Sequence, residues 1–330
     1  MRTKRRKILI LAVFVALVLV VLGILYARYI TELLTSESQM HLSEVATQGA
    51  ASVQRQIARD FDILDVLADG SISDPAVPLS SKMERIKKQA YKFGLFRIGL
   101  VDLEGNATTS DDHEFSVKDR EFFKAAVRGE RFISEPIIDK VDGVTPGIVY
   151  AVPVYHNGVI TSVLFSGYEL ASLTDRIDIS FYHESGLAFV VDSDANVLLH
   201  PVEERNNTNI AEIAETRNKT SVVEGFKQNL KSGKSGVTHF VMRTEDRFFA
   251  YAPIKGANDW FLFASLPVTS VLDRSQKVII MTVLLLVGIL VMLTLIACYI
   301  AVSKKRANAK IVKLAYYDTL TGAANGERFK

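Results

Sequence analysis

Cysteine is almost absent from this sequence, since Cys298 is the only one among its 330 residues. A disulfide within the chain and a metal site built on thiolates are therefore excluded, and any folded part must be held together by its own apolar core. We also find no Ser/His/Asp or Cys/His combination in a context typical of nucleophilic catalysis. We therefore predict no catalytic residue and no metal ligand in this chain.

Charge is missing from two long apolar runs, residues 8–27 and residues 278–303. A hydrocarbon core of ~30 Å is crossed by ~20 apolar residues at a rise of 1.5 Å each, so both runs are long enough to span a membrane. A cleaved signal peptide is the alternative for the first run. That run exceeds the usual apolar region of ~7–15 residues, however, and no A-x-A site follows it. We predict two transmembrane helices.

The flanks of these runs differ in charge. Residues 1–7 and 303–313 each carry a net +5, and residues 314–330 are neutral, so the total of +2 leaves −8 for residues 8–302. The positive-inside bias places both termini in the cytoplasm and residues 28–277 outside it. A mildly acidic exterior argues against binding to nucleic acid.

Proline is absent from residues 28–68, and glycine occurs there once. Apolar residues recur at roughly helical spacing over the same stretch, which predicts a long stalk helix that continues from the first apolar run. Breakers at Gly70-Ser71 and at residues 74–78 end this helix. Because such a stalk is suited to pairing with a second copy, we expect a homodimer.

From residue 96 the pattern changes to short strands separated by turn signals. A short helix is predicted around residues 119–128, and Asn157-Gly158 between two apolar runs is a strong hairpin signal. The scheme repeats after residue 185, with a polar helical stretch over residues 209–232. The predicted strands are residues 97–103, 147–154, 159–168, 186–192, 197–201, 236–242, 248–253 and 260–267.

Two other motifs suggest sites that we do not predict. Asp192, Asp194 and His200 could ligate a metal, but aspartates in a tight turn more often form the turn, and one histidine seldom makes a site. Gly233-Lys234-Ser235 ends like a phosphate-binding loop, but Gln228 stands where the first glycine of that loop must be.

The order of the elements resembles that of the double Cache sensor domain of bacterial receptors. The local matches are Asp119-Arg120-Glu121-Phe122-Phe123, Tyr150-Ala151-Val152-Pro153, and Asp192 followed by His200-Pro201, within residues 30–275. The resemblance implies an α+β fold, in which two PAS-like Cache modules of antiparallel sheet share one long N-terminal helix. We assign residues 69–177 to a membrane-distal module and residues 178–275 to a membrane-proximal one.

The same resemblance implies a ligand pocket in the distal module. Double Cache domains that bind amino acids carry an aromatic residue, then R-x-W-Y-x-x-A, then an acidic residue on the last strand. A guanidinium grips a carboxylate, an acid holds an ammonium group, and aromatic walls exclude water. The residues assigned to the pocket are Phe115, Arg120, Phe122, Phe123, Tyr150 and Glu169.

Phenylalanines replace the tryptophan and tyrosines of that pattern, which removes hydrogen-bond donors. The loss of donors disfavours an ordinary α-amino acid relative to a small carboxylate or amine, so the expected ligand class is an amino acid, a carboxylate or an amine. A local capping or bridging role for Arg120, beside Asp119, is an equally open alternative, and a core role is favoured for Phe123.

The end of the chain resembles the opening of a GGDEF domain, the catalytic module of diguanylate cyclases, which reads L-A-x-x-D-x-L-T-G-L-x-N-R. Residues 314–330 fall within this resemblance, after a helical linker over residues 304–313. Asp318, Leu320, Thr321, Gly322 and Asn325 match, whereas Ala323 and Gly326 depart.

This resemblance implies a two-pass protein of the bacterial inner membrane, whose periplasmic sensor controls the synthesis of cyclic di-GMP from GTP. Magnesium and GTP are expected only for a GGDEF domain, and no cofactor is expected in this chain. A chemoreceptor or a sensor kinase is an alternative, although residues 304–330 contain no histidine that could accept phosphate. A membrane-anchored binding protein without output is another.

Overall fold

The computed structural model describes residues 2–93, 97–170, 186–202, 205–242 and 245–316. One compact unit spans residues 35–271, and the two ends of the chain form the other. The predicted boundary between the modules, at residues 177 and 178, lies outside the described residues, as do the GGDEF-like positions Asp318 to Asn325.

Helices and strands alternate along the described chain. The helices are α1 (Arg2–Ala68), α2 (Leu79–Phe93), α3 (Glu121–Val127), α4 (Ile210–Glu215), α5 (Thr220–Lys231) and α6 (Val268–Tyr316). The first six strands are β1 (Arg97–Val101), β2 (Asn106–Thr109), β3 (Glu114–Ser116), β4 (Phe132–Ile133), β5 (Ile137–Ile138) and β6 (Pro146–His156). The others are β7 (Val159–Glu169), β8 (Leu187–Val191), β9 (Val197–Leu199), β10 (Gly236–Val241), β11 (Asp246–Pro253) and β12 (Phe261–Pro267).

The strands form two antiparallel sheets. The distal sheet has the order β3-β2-β1-β7-β6-β4, with β5 also paired to β6, and the proximal sheet has the order β10-β11-β12-β8-β9. The predicted hairpin joins β6 to β7, and its turn residues Asn157 and Gly158 have φ of 49° and 80°. Positive φ at both positions is typical of a type I′ turn, which matches the twist of the strands. The predicted α+β fold with two sheets and a long N-terminal helix is confirmed.

The turn after β8 is built around Asp192. Its Oδ1 accepts hydrogen bonds from the backbone N–H groups of Asp194 and Asn196, at 2.9 and 2.8 Å. The carboxylate is therefore used by the turn, in agreement with the interpretation made from the sequence.

Helix α1 supplies the core that both sheets share. Leu42, Ile57 and Leu64 on one face of the helix are buried against residues of the distal sheet and of the proximal sheet. The opposite face of each sheet has its own core. That of the distal sheet contains α3, and that of the proximal sheet contains α4 and α5. Each sheet is thus covered on both faces, which explains the nearly continuous burial of β7, β11 and β12.

Two helices are long and apolar enough to cross a membrane. Within the described residues these are the segments Leu17–Ala68 and Val268–Ala309, with mean hydropathy of 1.9 and 3.1 in their most apolar windows. No part of either window is buried inside the structure. Their side chains are therefore free to face an apolar solvent.

The shared core predicts unequal effects along α1. Leu64 is 1% exposed and Val66 is 70% exposed. Leu64→Ala should lower the free energy of unfolding by about 2–5 kcal/mol, because it leaves a cavity between the helix and the sheets. Val66→Ala should change it by no more than about 0.5 kcal/mol. Urea unfolding of the detergent-solubilised chain, followed by circular dichroism, measures both. Equal effects would contradict the assigned role of α1.

Candidate functional site

A cavity of about 60 Å³ lies on the face of the distal sheet that is turned away from α1. Phe165, Gly167 and Glu169 alternate along β7, so they share this face, as do their partners on β6. Gly167 pairs with Val149, and an ideal Cβ at Gly167 would have no described atom within 4 Å. The missing side chain at Gly167 therefore leaves open space in the floor of the cavity.

Arg120 lies at the cavity, directly before α3. Its Nη2 donates a hydrogen bond to the carbonyl of Ile138 at 3.1 Å, and its side chain does not cap the helix. The neighbouring Asp119 carboxylate instead accepts from Lys140 Nζ at 2.5 Å. The guanidinium thus bridges to the last residue of β5 and retains other N–H groups for a ligand.

Glu169 ends β7 on the same face as Arg120. Among the residues that the structure describes, none donates a hydrogen bond or forms an ion pair with its carboxylate. Arg120 and Lys140 supply positive charge around the cavity, while Glu169 supplies negative charge. The arrangement can therefore hold a carboxylate and an ammonium group at the same time.

An ion-pair cluster that the sequence interpretation missed supports one wall of this cavity. Arg97, at the start of β1, is 11% exposed at its side chain. Its Nε donates to Asp111 Oδ2 at 2.8 Å, and its Nη1 donates to Asp139. Asp139 also accepts from the backbone N–H of Val141 at 2.7 Å, which fixes the loop after β5. The one feature of the sequence that could have indicated this cluster is the arginine at the first position of a predicted strand.

The cluster also perturbs a carboxyl group. Burial alone would raise the pKa of Asp111, but hydrogen bonds from Thr109 and Arg97 outweigh it and hold the pKa below its ordinary value. The lowered pKa means that the folded state stabilises the ionised form of Asp111.

Four of the six predicted ligand-binding residues line this cavity, namely Phe115, Arg120, Phe122 and Glu169. Phe123 and Tyr150 do not. Phe123 is buried in the core between α3 and the sheet, in agreement with the favoured core interpretation. Tyr150 points to the other face of β6, where its ring contacts Phe61 of α1 edge-on at 5.3 Å. Tyr150 therefore lies on the face of the sheet away from this cavity, because adjacent strand residues face opposite sides of the sheet.

Arg97 provides a test of the wall. Arg97→Gln should lower the free energy of unfolding at pH 7 by about 2 kcal/mol, since it leaves the Asp139 carboxylate without its cation. Because the folded pKa of Asp111 is depressed, the stabilisation is present above the unfolded pKa of ~3.9 and is lost as the pH falls through the folded value. The difference in free energy of unfolding between wild type and Arg97→Gln should therefore become smaller below about pH 4, as measured by urea unfolding.

The control for this test is Arg128→Gln, which removes an exposed pair with Glu130. This change should have little effect on stability at either pH, because surface ion pairs contribute little. An Arg97→Gln variant that is as stable as wild type at pH 7 would rule out the assigned role of the cluster.

Comparison with known proteins gives the family. A family model described as a Cache domain, dCache_1, matches residues 27–275. The ligand-binding domain of the Pseudomonas fluorescens chemoreceptor CtaA, in complex with L-isoleucine, superposes with a TM-score of 0.61 at 18% identity, over 74% of this chain and 98% of that one.

Two further solved structures agree. The ligand-binding domain of the Pseudomonas aeruginosa amino acid chemoreceptor PctB, in complex with L-Arg, has a TM-score of 0.59 at 17% identity, and the coverage is 70% of this chain and 96% of that one. The corresponding domain of PctC from the same organism, in complex with GABA, has a TM-score of 0.57 at 18% identity, and the coverage is 69% of this chain and 99% of that one. At these identities the structures show a shared fold, and the family match covers most of the sequence. The chain therefore belongs to the Cache-domain family.

Proposed function

We propose that this protein is a membrane-anchored sensor, whose distal pocket binds a small molecule that carries a carboxylate, an ammonium group or both. The observation that carries the proposal is the meeting of Arg120 and Glu169 at one cavity, with Glu169 unpaired among the described residues. A carboxylate on Arg120 and a cation on Glu169 would satisfy both groups. Phe115 and Phe122 supply apolar walls that exclude water.

The chemistry of the compared proteins supports this ligand class. L-isoleucine, L-arginine and GABA each carry one carboxylate and one ammonium group, and they are bound to CtaA, PctB and PctC respectively. The cavity of this chain is small, with room for about four water molecules. We therefore expect a compact ligand.

A thermal-shift screen of the full chain in detergent tests the pocket. Small amino acids, short carboxylates and amines are the probes, and one at 100 times its Kd should add ~2.7 kcal/mol to stability. Arg120→Ala and Glu169→Gln should abolish the shift, because each removes one charged contact. Gly167→Val should abolish it as well while leaving the chain folded, since its side chain fills open space.

Lys124→Ala is the matched control, because Lys124 is a cation of α3, just after Arg120, that lies outside the pocket and pairs with Glu121. It should keep the full response. A folded chain that no probe stabilises, or a response that survives Gly167→Val, would refute the proposed pocket.

The sensor is proposed to signal across the bacterial inner membrane as a homodimer, with both termini in the cytoplasm and the two Cache modules in the periplasm. Helix α6 supports this, because it starts directly after β12 and continues without interruption to Tyr316. A ligand that binds one arrangement of the two copies more tightly than another shifts the balance between them, by at most its difference in affinity. A continuous helix can carry this change towards residues 304–316.

The proposed output is diguanylate cyclase activity, because Asp318, Leu320, Thr321, Gly322 and Asn325 match the opening of a GGDEF domain. A chemoreceptor output is the second candidate, and the specific observation in its favour is that the compared structures are chemoreceptor ligand-binding domains. The two outputs require different cytoplasmic modules.

Hybrid receptors distinguish the two outputs. One hybrid joins the chain at Asn325 to an active GGDEF domain in the register of the motif, and the other joins it at Tyr316 to a chemoreceptor signalling domain. We expect external ligand to change the cyclic di-GMP concentration in cells that carry the first hybrid. We expect it to leave the signalling output of the second hybrid unchanged, since only the first hybrid keeps the native phase of the helix. Synthesis also requires the C-terminus to reach cytoplasmic GTP and two copies to meet. A ligand response confined to the second hybrid would favour the chemoreceptor.

A further inference from the structure

A second cavity, of about 220 Å³, lies in the proximal module on the face of its sheet that is turned away from α1. Its walls are largely apolar, but several polar groups gather at one part of it. The apolar lining residues are Phe189, Val197, Ile210, Ile213, Met242 and Phe249. The polar ones are His200, Arg205, Thr208, Glu245, Arg247 and Ser265.

His200 directs a hydrogen-bond donor towards this cavity. The residue is 3% exposed, and its Nδ1 accepts a hydrogen bond from the backbone N–H of Val202 at 2.9 Å. In a neutral imidazole the proton therefore lies on Nε2, which is a donor. No partner for Nε2 occurs among the residues that the structure describes. Burial, together with Arg205, lowers the pKa of His200 to about 4, so the ring is neutral at pH 7.

Arg247 adds a buried cation to the same cavity. It is 9% exposed, pairs through Nη1 with Glu245, and donates through Nη2 to Ser265 Oγ at 3.1 Å. The exposed Arg205 also lines the cavity and has no ion pair in the described part of the chain. Two guanidinium groups thus face one carboxylate, which leaves an excess of positive charge.

An internal ion pair between Arg247 and Glu245 explains part of this arrangement. It does not account for the Nε2 donor of His200, which lies at the cavity and has no acceptor among the residues that the structure describes. It also leaves the open apolar space unexplained. An anion beside His200 and Arg205 would pair with the donor and with the excess positive charge, and an apolar body attached to it would fill the open space.

We propose that this cavity is a second binding site, separate from the distal pocket, for a small monocarboxylate with an aliphatic or aromatic body. The carboxylate would accept from His200 Nε2 and from Arg205, while the hydrocarbon would contact Phe189 and Phe249. A single negative charge fits best, because Glu245 repels a second one. An ammonium group has no acid available, since Glu245 is committed to Arg247.

Calorimetric titration of the full chain in nanodiscs tests the site. The Gly167→Val variant is used throughout, so that the distal pocket is filled and cannot contribute. Propionate, butyrate and benzoate are the probes, and propionamide, butyramide and benzamide are their uncharged counterparts. We expect the carboxylates to bind at pH 7 at least tenfold more tightly than the amides.

Two further substitutions in that background locate the binding. His200→Asn places an amide oxygen near Nδ1, which keeps an acceptor for Val202, but it removes the donor from the cavity. Arg205→Gln removes an exposed charge and should not disturb folding. Each should weaken carboxylate binding at least tenfold. Arg217→Gln, an exposed arginine of the same module outside the cavity, should leave the affinity unchanged.

Three outcomes would overturn the proposal. The first is a folded chain that binds no carboxylate, and the second is binding of the amides as tight as that of the acids. The third is an affinity that neither His200→Asn nor Arg205→Gln alters. Circular dichroism establishes that each variant is folded. Because Gly167→Val removes the distal pocket, a failure here is independent of a failure of the distal sensor.

Discussion

The burial of one face of α1 against both sheets is the constraint on which the rest of the compact unit, residues 35–271, depends. A chain without disulfides must derive its stability from apolar burial, and here one helix provides the common core for two modules. Each sheet has thereby committed one face to that helix. The opposite faces remain open to other contacts, and the two cavities described above lie there.

Strand alternation decides which residues belong to the core and which to a cavity. On β7, Tyr168 contributes to the core with α1, while Gly167 and Glu169 face the pocket. A shift of one residue in register would exchange these roles completely. The paired register of β6 and β7, fixed by the turn at Asn157 and Gly158, is therefore as important to the site as the charged residues themselves.

The sequence was sufficient to predict features that rest on local chemistry. The end of α1 at Ala68, the β6–β7 hairpin and the strands of the proximal sheet follow from breakers, turn residues and apolar periodicity. Helix α2 was missed although Leu79, Met83, Ile86 and Ala90 have helical spacing. Strands β4 and β5 have two residues each, which is too short to show any period.

The candidate sites were only partly predictable, because their residues are distant in sequence. Arg97 and Asp139 are 42 positions apart, and only the pairing of strands brings them together. In the proximal module, His200 was set aside because one histidine seldom makes a metal site, and nothing in the sequence places it beside Arg247. Of the six residues assigned to the pocket, Tyr150 lies on the other face of the sheet and Phe123 lies in the core beneath α3.

The open space at Gly167 has an evolutionary consequence. A side chain added there meets no described atom within 4 Å, and the backbone of this residue is not in the left-handed region. Substitution to larger residues would therefore reduce the cavity in steps of one or two carbon atoms while the sheet keeps its register. The volume of the distal cavity can thus change between related Cache domains through a single position, at little cost to folding.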